Sequence, residues 1–268
     1  EHGIDFLSSP FDSSSADFLI HELRLPRVKL GSGELTNGPL LLQLARADRE
    51  LILSTGMATL DEVSEALGVL AFGYLRQDEP AGRSDLLATL GDPRASEVLR
   101  RRVTLLHCTS EYPCPLDQVN LRAMDSLADR FGLAVGYSDH TLGIQVSVAA
   151  AARGACVLEK HFTLDRRLPG PDHAASLEPG ELAALVRAVR EVSQALGQAE
   201  KAPAATEIRN AAVVRKSLVA ARAISAGEPF SSANLTAKRP GIGRSPMDCW
   251  ELFGTCSSRD YAADEATE

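Results

Sequence analysis

Two short stretches, Gly136-Tyr-Ser-Asp-His-Thr141 and Glu159-Lys-His-Phe162, decide the fold prediction for this chain. Each follows a short apolar run of the kind that is typical of a buried strand. If the two strands are neighbours in a parallel sheet, His140 and His161 lie together at its carboxyl edge. That edge is where α/β enzymes place their chemistry. The two stretches therefore predict a sheet with a pair of imidazoles at one end.

The rest of the chain predicts the same kind of sheet, because apolar runs alternate with helical patterns. Strands are predicted over residues 3–9, 26–30, 51–56, 103–108, 133–138 and 157–161. Helices are predicted over residues 12–23, 39–47, 60–70, 121–131, 143–153 and 181–196. Thr59 and Glu62 have the spacing of a capping box at the start of the third helix. Six strand-then-helix units indicate a parallel sheet.

Polar side chains follow every predicted strand at its carboxyl end. They are Ser9, Lys29, Ser32, Glu34, Ser54, Ser110, Tyr112, Ser138, His140, Lys160 and His161. A doubly wound sheet gathers such residues mainly at one switch point, whereas a barrel collects them from all its strands. The pattern therefore favours the α/β class and a (β/α)8 TIM barrel. A closed barrel needs eight strands, so either the first two units lie upstream of Glu1 or the count of six is wrong.

Composition gives no support for a nucleic-acid partner or a membrane span. The 268 residues carry a net charge of -8 with scattered basic residues, which gives no reason to expect nucleic-acid binding. No apolar run reaches the roughly 18 residues that a membrane span needs. Five cysteines form no CxxC pair, and reduced thiols indicate a cytoplasmic protein.

The pattern changes after Gly197, and this predicts the domain organisation. Residues 1–197 form the barrel domain, 198–207 a polar linker, and 208–268 a small, mainly β domain with Gly and Pro turns. Residues 76–102 are polar and rich in Asp, Arg, Gly and Pro. They predict a loop or partly ordered insertion with a short helix near 95–100, and no function follows from it.

Seven blocks occur together in one order along the chain. They are Lys29-Leu-Gly-Ser-Gly-Glu34, Leu53-Ser-Thr-Gly-Met57, Leu106-His-Cys-Thr-Ser-Glu-Tyr-Pro113, Gly136-Tyr-Ser-Asp-His-Thr141, Glu159-Lys-His-Phe-Thr163, Gly170-Pro-Asp-His173 and Lys238-Arg-Pro-Gly241. With these blocks the chain resembles the sialic acid synthase family, which comprises N-acetylneuraminate synthase and its legionaminate relatives. The C-terminal part resembles the antifreeze-like (SAF) domain that these synthases carry.

The resemblance implies a fold and a reaction. The family fold is a (β/α)8 barrel followed by the SAF domain, and two βα units precede the strand that is predicted first in this chain. The resemblance therefore implies an N-terminally truncated synthase. Family members condense phosphoenolpyruvate with an N-acyl hexosamine, typically N-acetylmannosamine, and use a divalent metal. The metal is typically Mn2+, with Mg2+ or Co2+ as alternatives.

The resemblance also implies roles for individual residues. His140 and His161 match the metal ligands, and two neutral imidazoles suit a divalent transition metal. Glu34 matches the general acid/base and is counted with His161 as catalytic. The residues that match the family's phosphoenolpyruvate-binding positions, which we call the phosphoenolpyruvate cradle, are Lys29, Ser32, Ser54, Ser110 and Ser138, with Ser9 as a weaker candidate. Tyr112 and Asp172 match sugar-contacting positions. Arg239 matches an arginine that reaches the sugar from the partner subunit, which implies a domain-swapped homodimer.

Two other functions stay open. Lys160 could form a Schiff base with a carbonyl substrate, as in a class I aldolase, which would make the protein a lyase. The chain could instead be a non-catalytic carbohydrate-binding or assembly fragment, a hypothesis that rests on the units that are expected upstream.

Overall fold

The computed structural model describes residues 3–267, and the chain divides into two units. The first unit ends at Gly197 and the second begins at Gln198. Each unit has its own cluster of buried apolar side chains. Among the described residues, no helix combines the length and the apolar character needed to cross a membrane.

The first unit alternates strands and helices. Its strands are β1 (Arg27–Leu30), β2 (Glu50–Ser54), β3 (Val103–His107), β4 (Ala134–Asp139) and β5 (Leu158–Lys160). Its helices are α1 (Ser13–Asp17), α2 (Gly38–Arg46), α3 (Leu60–Leu75), α4 (Arg83–Thr89), α5 (Pro93–Arg102), α6 (Ala123–Phe131), α7 (Gln145–Ala152) and α8 (Pro179–Leu196). A π-helical turn, Phe18–Glu22, continues α1. The capping box predicted for α3 is confirmed, because Thr59 and Glu62 each bind the other's backbone N–H.

The five strands form one parallel sheet in the order β1-β2-β3-β4-β5. Successive side chains in a strand point to opposite faces. One face carries apolar residues such as Val28, Leu53, Leu105 and Tyr137, which pack in the core with the surrounding helices. The opposite face, which we call the inner face, is more polar. It carries Lys29, Ile52, Ser54, Leu106, Ser138 and Glu159, according to the strand register.

The sheet is curved toward its inner face. Laid flat, five strands would separate β1 from β5 by roughly 19 Å, since neighbouring strands lie about 4.8 Å apart. That distance is beyond the combined reach of a lysine and a glutamate side chain. Nevertheless Lys29 of β1 and Glu159 of β5 form an ion pair, with 3.5 Å between Nζ and Oε1. The first unit is therefore a parallel half-barrel of the α/β class, as the sequence predicts.

The prediction of a strand over residues 3–9 is wrong, and the count of six becomes five. Residues 3–10 have no regular secondary structure. Their one strand-like feature is a bond from the Lys29 N–H to the Ser8 carbonyl, 3.2 Å long. Ile4 and Phe6 are 83% and 66% exposed, so these apolar side chains lack the burial that stabilises a strand.

The prediction for residues 76–102 is wrong in part, because the short helix expected near residues 95–100 is confirmed but a second helix lies in the segment predicted as a loop. The segment forms two helices, α4 and α5, and α5 begins at Pro93 with Asp92 as its N-cap. Ala95, Val98 and Leu99 are buried, because their spacing places them on one helical face. Helix α4 lies directly against α3 at Gly68, where a Cβ atom would meet the Leu86 carbonyl oxygen at 2.9 Å. The polar composition of the segment concealed α4.

The second unit is small. It contains helix α9 (Ala205–Val214), an antiparallel pair of strands, β6 (Ser217–Ala220) and β7 (Leu235–Lys238), and the short helix α10 (Cys249–Leu252). Isolated antiparallel bridges join other segments, including Ile224 to Tyr261. Its core contains Phe230, Leu218 and Tyr261. Helix α9 begins inside the segment predicted as a linker and was not predicted from the sequence.

Candidate active site

The two histidines meet at the carboxyl ends of β4 and β5, as their positions after neighbouring strands predict. The ring centroids of His140 and His161 are 5.5 Å apart, and the rings are nearly perpendicular at 68°. Tyr112, from the loop after β3, contacts both rings, with its centroid 4.2 Å from His140 and 5.3 Å from His161. Three strand ends therefore supply one aromatic and imidazole cluster.

The hydrogen bonds around His140 leave one ring nitrogen with a free lone pair. Its Nδ1 lies 2.7 Å from the Thr109 carbonyl oxygen, and a carbonyl only accepts, so Nδ1 carries the proton. Its Nε2 lies 3.4 Å from Ser138 Oγ. That hydroxyl has one proton, which it donates to Glu159 Oε1 at 2.7 Å. Burial lowers the pKa of His140, which favours the neutral imidazole.

A cation and an anion meet on the inner face beside this cluster. Lys29 is buried, and its Nζ donates to the Leu30 carbonyl at 2.9 Å besides facing Glu159. The Glu159 carboxylate thus joins Lys29 to Ser138, and Ser138 adjoins His140. A ligand phosphate or carboxylate could take the place of Glu159 as the partner of Lys29, since ammonium groups bind such anions as point charges.

Hydroxyl groups converge around Gly56, just after β2. A Cβ atom at Gly56 would lie 2.5 Å from Ser110 Oγ, 2.7 Å from Ser32 Oγ and 3.0 Å from Cys108 Sγ. The Gly56 N–H donates to Ser32 Oγ at 3.0 Å. Three loops can approach this closely only because position 56 has no side chain. The arrangement brings predicted cradle residues Ser32 and Ser110 together.

Two further predicted residues lie close to these loops along the chain. Ser54, at the end of β2, is 2% exposed, and its hydroxyl has no hydrogen-bond partner in the described structure. A buried hydroxyl of this kind is a position for a ligand oxygen, because buried polar groups are usually bonded. Glu34 ends a 3-10 turn that begins at Ser32, and Asn37 Nδ2 donates to its Oε2 at 2.7 Å. Among the described residues, no hydrogen bond reaches the other carboxylate oxygen of Glu34.

The predicted sugar-contacting residues are divided between the two units. Asp172 lies beside the histidine pair, with 3.6 Å between its Oδ2 and His161 Nδ1. Tyr112 is 43% exposed, and burial of the rest of the residue raises the pKa of its phenol, which stays a donor. Arg239 belongs to the second unit, where its Nε donates to the Val214 carbonyl at 2.7 Å. Its predicted reach to a partner subunit stays a prediction.

Lys160 points away from the inner face. Its Nζ lies 2.9 Å from Asp139 Oδ2 and also donates to the Thr141 carbonyl. The Lys160 side chain is 4% exposed and that of Asp139 is 0% exposed. A Schiff base requires a neutral amine with a free lone pair facing the substrate. The buried ion pair gives Lys160 a different environment and does not favour the aldolase alternative.

The match with known families follows the same division of the chain. Residues 1–201 match the NeuB family, and residues 215–266 match the SAF domain. The chain belongs to the NeuB family. This NeuB-family protein therefore carries a SAF domain after its half-barrel, as the resemblance predicts.

Named relatives agree with the family assignment. The chain is 48% identical over 262 residues to an N,N'-diacetyllegionaminic acid synthase of Campylobacter jejuni, covering 98% of this chain and 71% of the relative. It is 42% identical over 261 residues to the synthase of the same name from Legionella pneumophila, covering 97% and 67%.

A solved structure supports the fold. The crystal structure of the N-acetylneuraminic acid (sialic acid) synthetase of Leptospira borgpetersenii in complex with citrate is 31% identical, with a TM-score of 0.62. The match covers 75% of this chain and 61% of that chain. This NeuB-family chain therefore spans 61% to 71% of the length of these three relatives.

Reasoning from the sequence missed three parts of the site: Glu159, the Thr109 carbonyl and Asp139. Glu159 could have been found from strand periodicity, because residues 159 and 161 share one face of an extended strand while Lys160 points the other way. The Thr109 carbonyl and the contacts of Asp139 with Ser147 and Lys160 depend on tertiary packing, whereas the bond from the Thr141 N–H to Asp139 is local.

The donor set around the histidines fits a divalent metal that takes only part of its ligands from the protein. Within residues 3–267, no group of three or more His, Cys, Asp or Glu residues lies close enough together to hold one. The protein instead supplies two imidazoles. A carbonyl faces the Nδ1 of His140 and a carboxylate faces the Nδ1 of His161. Such partners orient metal-binding histidines, and the unbound His140 Nε2 lone pair fits a metal whose other ligands are water and substrate.

Proposed function

We propose that this NeuB-family protein condenses phosphoenolpyruvate with an N-acyl hexosamine, giving a sialic-acid-type nonulosonate and phosphate. The observation that supports this most directly is the convergence on the inner face. A lysine and hydroxyls suited to an anionic substrate lie beside an imidazole pair suited to a metal. The names of the relatives support the same reaction class.

The proposed reaction balances with one water. The C3 carbon of phosphoenolpyruvate bonds to the aldehyde carbon of the sugar, water adds at C2, and the C2–O bond to phosphate breaks. C2 becomes a ketone as phosphate leaves, so one proton of the water is taken up by the new hydroxyl and the other leaves with phosphate. A divalent metal held by His140 and His161 would polarise the aldehyde.

The residues of the chain take the remaining roles in this proposal. Lys29 binds the phosphate or carboxylate of phosphoenolpyruvate, and the hydroxyls of Ser32, Ser54, Ser110 and Ser138 donate to the same anion. Glu34 exchanges a proton with water or the new hydroxyl. Tyr112 and Asp172 contact the sugar, whose aldehyde end faces the histidine pair.

The acceptor in this proposal is a 2,4-diacetamido sugar rather than N-acetylmannosamine, since the Campylobacter jejuni and Legionella pneumophila relatives are both N,N'-diacetyllegionaminic acid synthases. We expect phosphate release from phosphoenolpyruvate with the diacetamido acceptor to exceed that with N-acetylmannosamine, measured as kcat/KM by a coupled phosphate assay. Release that is independent of any acyl hexosamine contradicts the proposed function. Borohydride trapping of pyruvate on Lys160 would favour the aldolase instead.

We also propose that the active form is a homodimer in which Arg239 of one copy reaches the site of the other. Apolar residues that follow Tyr112, His140 and His161 within four positions along the chain are exposed: Leu116 at 73%, Leu142 at 58% and Leu164 at 76%. A second copy of the chain could cover these leucine side chains with its own apolar residues. A monomer by light scattering that retains full activity contradicts the dimer.

Replacing His161 by alanine is expected to weaken Mn2+ binding by more than about 100-fold. Loss of a direct ligand should exceed the roughly 10- to 100-fold effect of losing an outer partner. Mn2+ affinity is measured from the EPR signal of free Mn2+ during titration. The matched control is His21→Ala, because His21 has a side chain that is 70% exposed in the π-helical turn. Equal affinity of His161→Ala and the control would remove His161 from the metal site.

A further inference from the structure

The buried ion pair between Asp139 and Lys160 lies directly behind the histidine pair. Along β4 and beyond it, Ser138 and His140 point toward the site while Asp139 points to the helices. Along β5, Glu159 and His161 point toward the site while Lys160 points to the helices. The two charged residues are register partners, and they form the last pair of the β4–β5 ladder. Each histidine therefore follows one member of the ion pair by a single residue.

Asp139 has a bonding partner for each carboxylate oxygen. Its Oδ1 accepts from the Thr141 N–H and from the Thr141 hydroxyl, both at 2.8 Å. Its Oδ2 accepts from the Ser147 hydroxyl of α7 and faces Lys160 Nζ. The bond from Oδ1 to the N–H two residues on is an Asx turn, and it fixes the backbone of the residue between them. That residue is His140.

Lys160 closes the same turn from the neighbouring strand. Its ammonium group contacts Asp139 before the histidine and the Thr141 carbonyl after it. The backbone of His140 is thus held on both sides by one cation that comes from β5. Because Lys160 immediately precedes His161, the same contacts fix the separation of the two imidazoles. The β4–β5 ladder ends at this pair, and beyond it the two histidine carbonyls accept from other segments, that of His140 from the Cys114 N–H and that of His161 from the Leu177 N–H, both at 2.9 Å.

A contribution to stability alone does not account for this placement. Burying a charge pair costs desolvation energy, and apolar replacements of similar volume are often neutral or stabilising. A comparison lies at the other end of the sheet, where Arg27 and Glu50 are also register partners and form an ion pair at 2.7 Å. That pair is partly exposed. The fully buried pair occurs where two candidate metal ligands need a fixed separation.

We propose that Asp139 and Lys160 are positioning residues for the His140–His161 metal site. The inference rests on the proposed function, since it assumes that the two imidazoles share a divalent ion. The pair acts through the histidine backbone and contacts neither metal nor substrate. It therefore assigns Lys160 a role other than Schiff-base formation.

The test is the double variant Asp139→Asn/Lys160→Met, which removes both charges with little change in volume. The Asn side-chain oxygen still accepts from Thr141, and its amide can donate to Ser147. We expect the Mn2+ dissociation constant to rise about 10- to 100-fold, the range for lost outer partners of metal ligands. Unfolding followed by circular dichroism should stay cooperative. The matched control is Arg27→Met/Glu50→Gln, for which we expect unchanged Mn2+ affinity.

The outcomes separate this inference from the proposed function. Absence of Mn2+ binding by the unmodified protein contradicts the metal site and the inference with it. A folded double variant that binds Mn2+ within a factor of about two of the unmodified protein overturns the inference alone. If the double variant does not unfold cooperatively, Ser147→Ala replaces it, because that change removes one hydroxyl donor to the Asp139 carboxylate and keeps the ion pair. We then expect a rise of about threefold in the dissociation constant, and no rise overturns the inference.

Discussion

Glu34→Gln is expected to lower kcat by about 100- to 10,000-fold, the usual contribution of a general acid or base. Glutamine retains the volume of the side chain and can still accept from Asn37, but it cannot exchange a proton. The affinity for phosphoenolpyruvate should stay nearly unchanged, because Glu34 is proposed to act on water or the new hydroxyl and not to bind phosphate. Both quantities are measured on one preparation, kcat by phosphate release and affinity by calorimetry.

The control for this experiment is Glu191→Gln, on the exposed surface of α8. It removes the same charge outside the site and should leave kcat and affinity unchanged. Turnover retained in Glu34→Gln would refute the acid/base role. A loss of phosphoenolpyruvate affinity with unchanged kcat would make Glu34 a binding residue instead.

The sheet was predictable because its evidence is local. An apolar run followed by a polar residue and then a helical pattern recurs along the chain, and β1 to β5 begin and end within about two residues of the predicted bounds. Whether residues 3–9 form a strand could not be predicted from the local pattern. Apolar residues such as Phe6 show only that a segment could be buried. Whether partners cover it depends on contacts that a local pattern does not contain.

The two helices of residues 76–102 were predicted unequally, since a short helix near residues 95–100 was expected and α4 was not. Helix α5 has many charged residues, including Arg100, Arg101 and Arg102, and its average composition is that of a loop. The information lay in the spacing of Ala95, Val98 and Leu99, which repeats with the helical period. For residues 76–92 composition was given more weight than periodicity, and helix α4 was missed for that reason.

The site was predictable to the extent that it depends on strand order. His140 and His161 were placed together because neighbouring parallel strands end at one edge, and the structure brings their rings within 5.5 Å. Their metal-binding role stays a prediction. Glu159 was missed because it was read only as part of a motif. The contact between Lys29 and Glu159 joins the two edge strands, so it depends on curvature, which no single strand encodes.

Lys29→Met is expected to weaken phosphoenolpyruvate binding about 10- to 150-fold, the effect of losing one charge-assisted hydrogen bond. The lysine is 7% exposed and is held toward the inner face by β1. Methionine fills nearly the same volume without the charge. Binding is measured by calorimetry, and Lys201→Met, at an exposed position beyond the first unit, is the matched control with unchanged binding expected.

Adding Glu159→Gln to Lys29→Met distinguishes two roles for the Lys29 charge, neutralisation of Glu159 and binding of the substrate anion. If Lys29 served only to neutralise Glu159, removing both charges would return phosphoenolpyruvate affinity to that of the unmodified protein. If Lys29 binds the substrate anion, Lys29→Met/Glu159→Gln must remain weak, because no cation replaces the ammonium group. Glu159→Gln alone should then tighten binding, since the substrate no longer competes with a carboxylate for Lys29. Restored affinity in the double variant would contradict the anion-binding role of Lys29, and with it the strongest electrostatic argument for a phosphorylated substrate on the inner face.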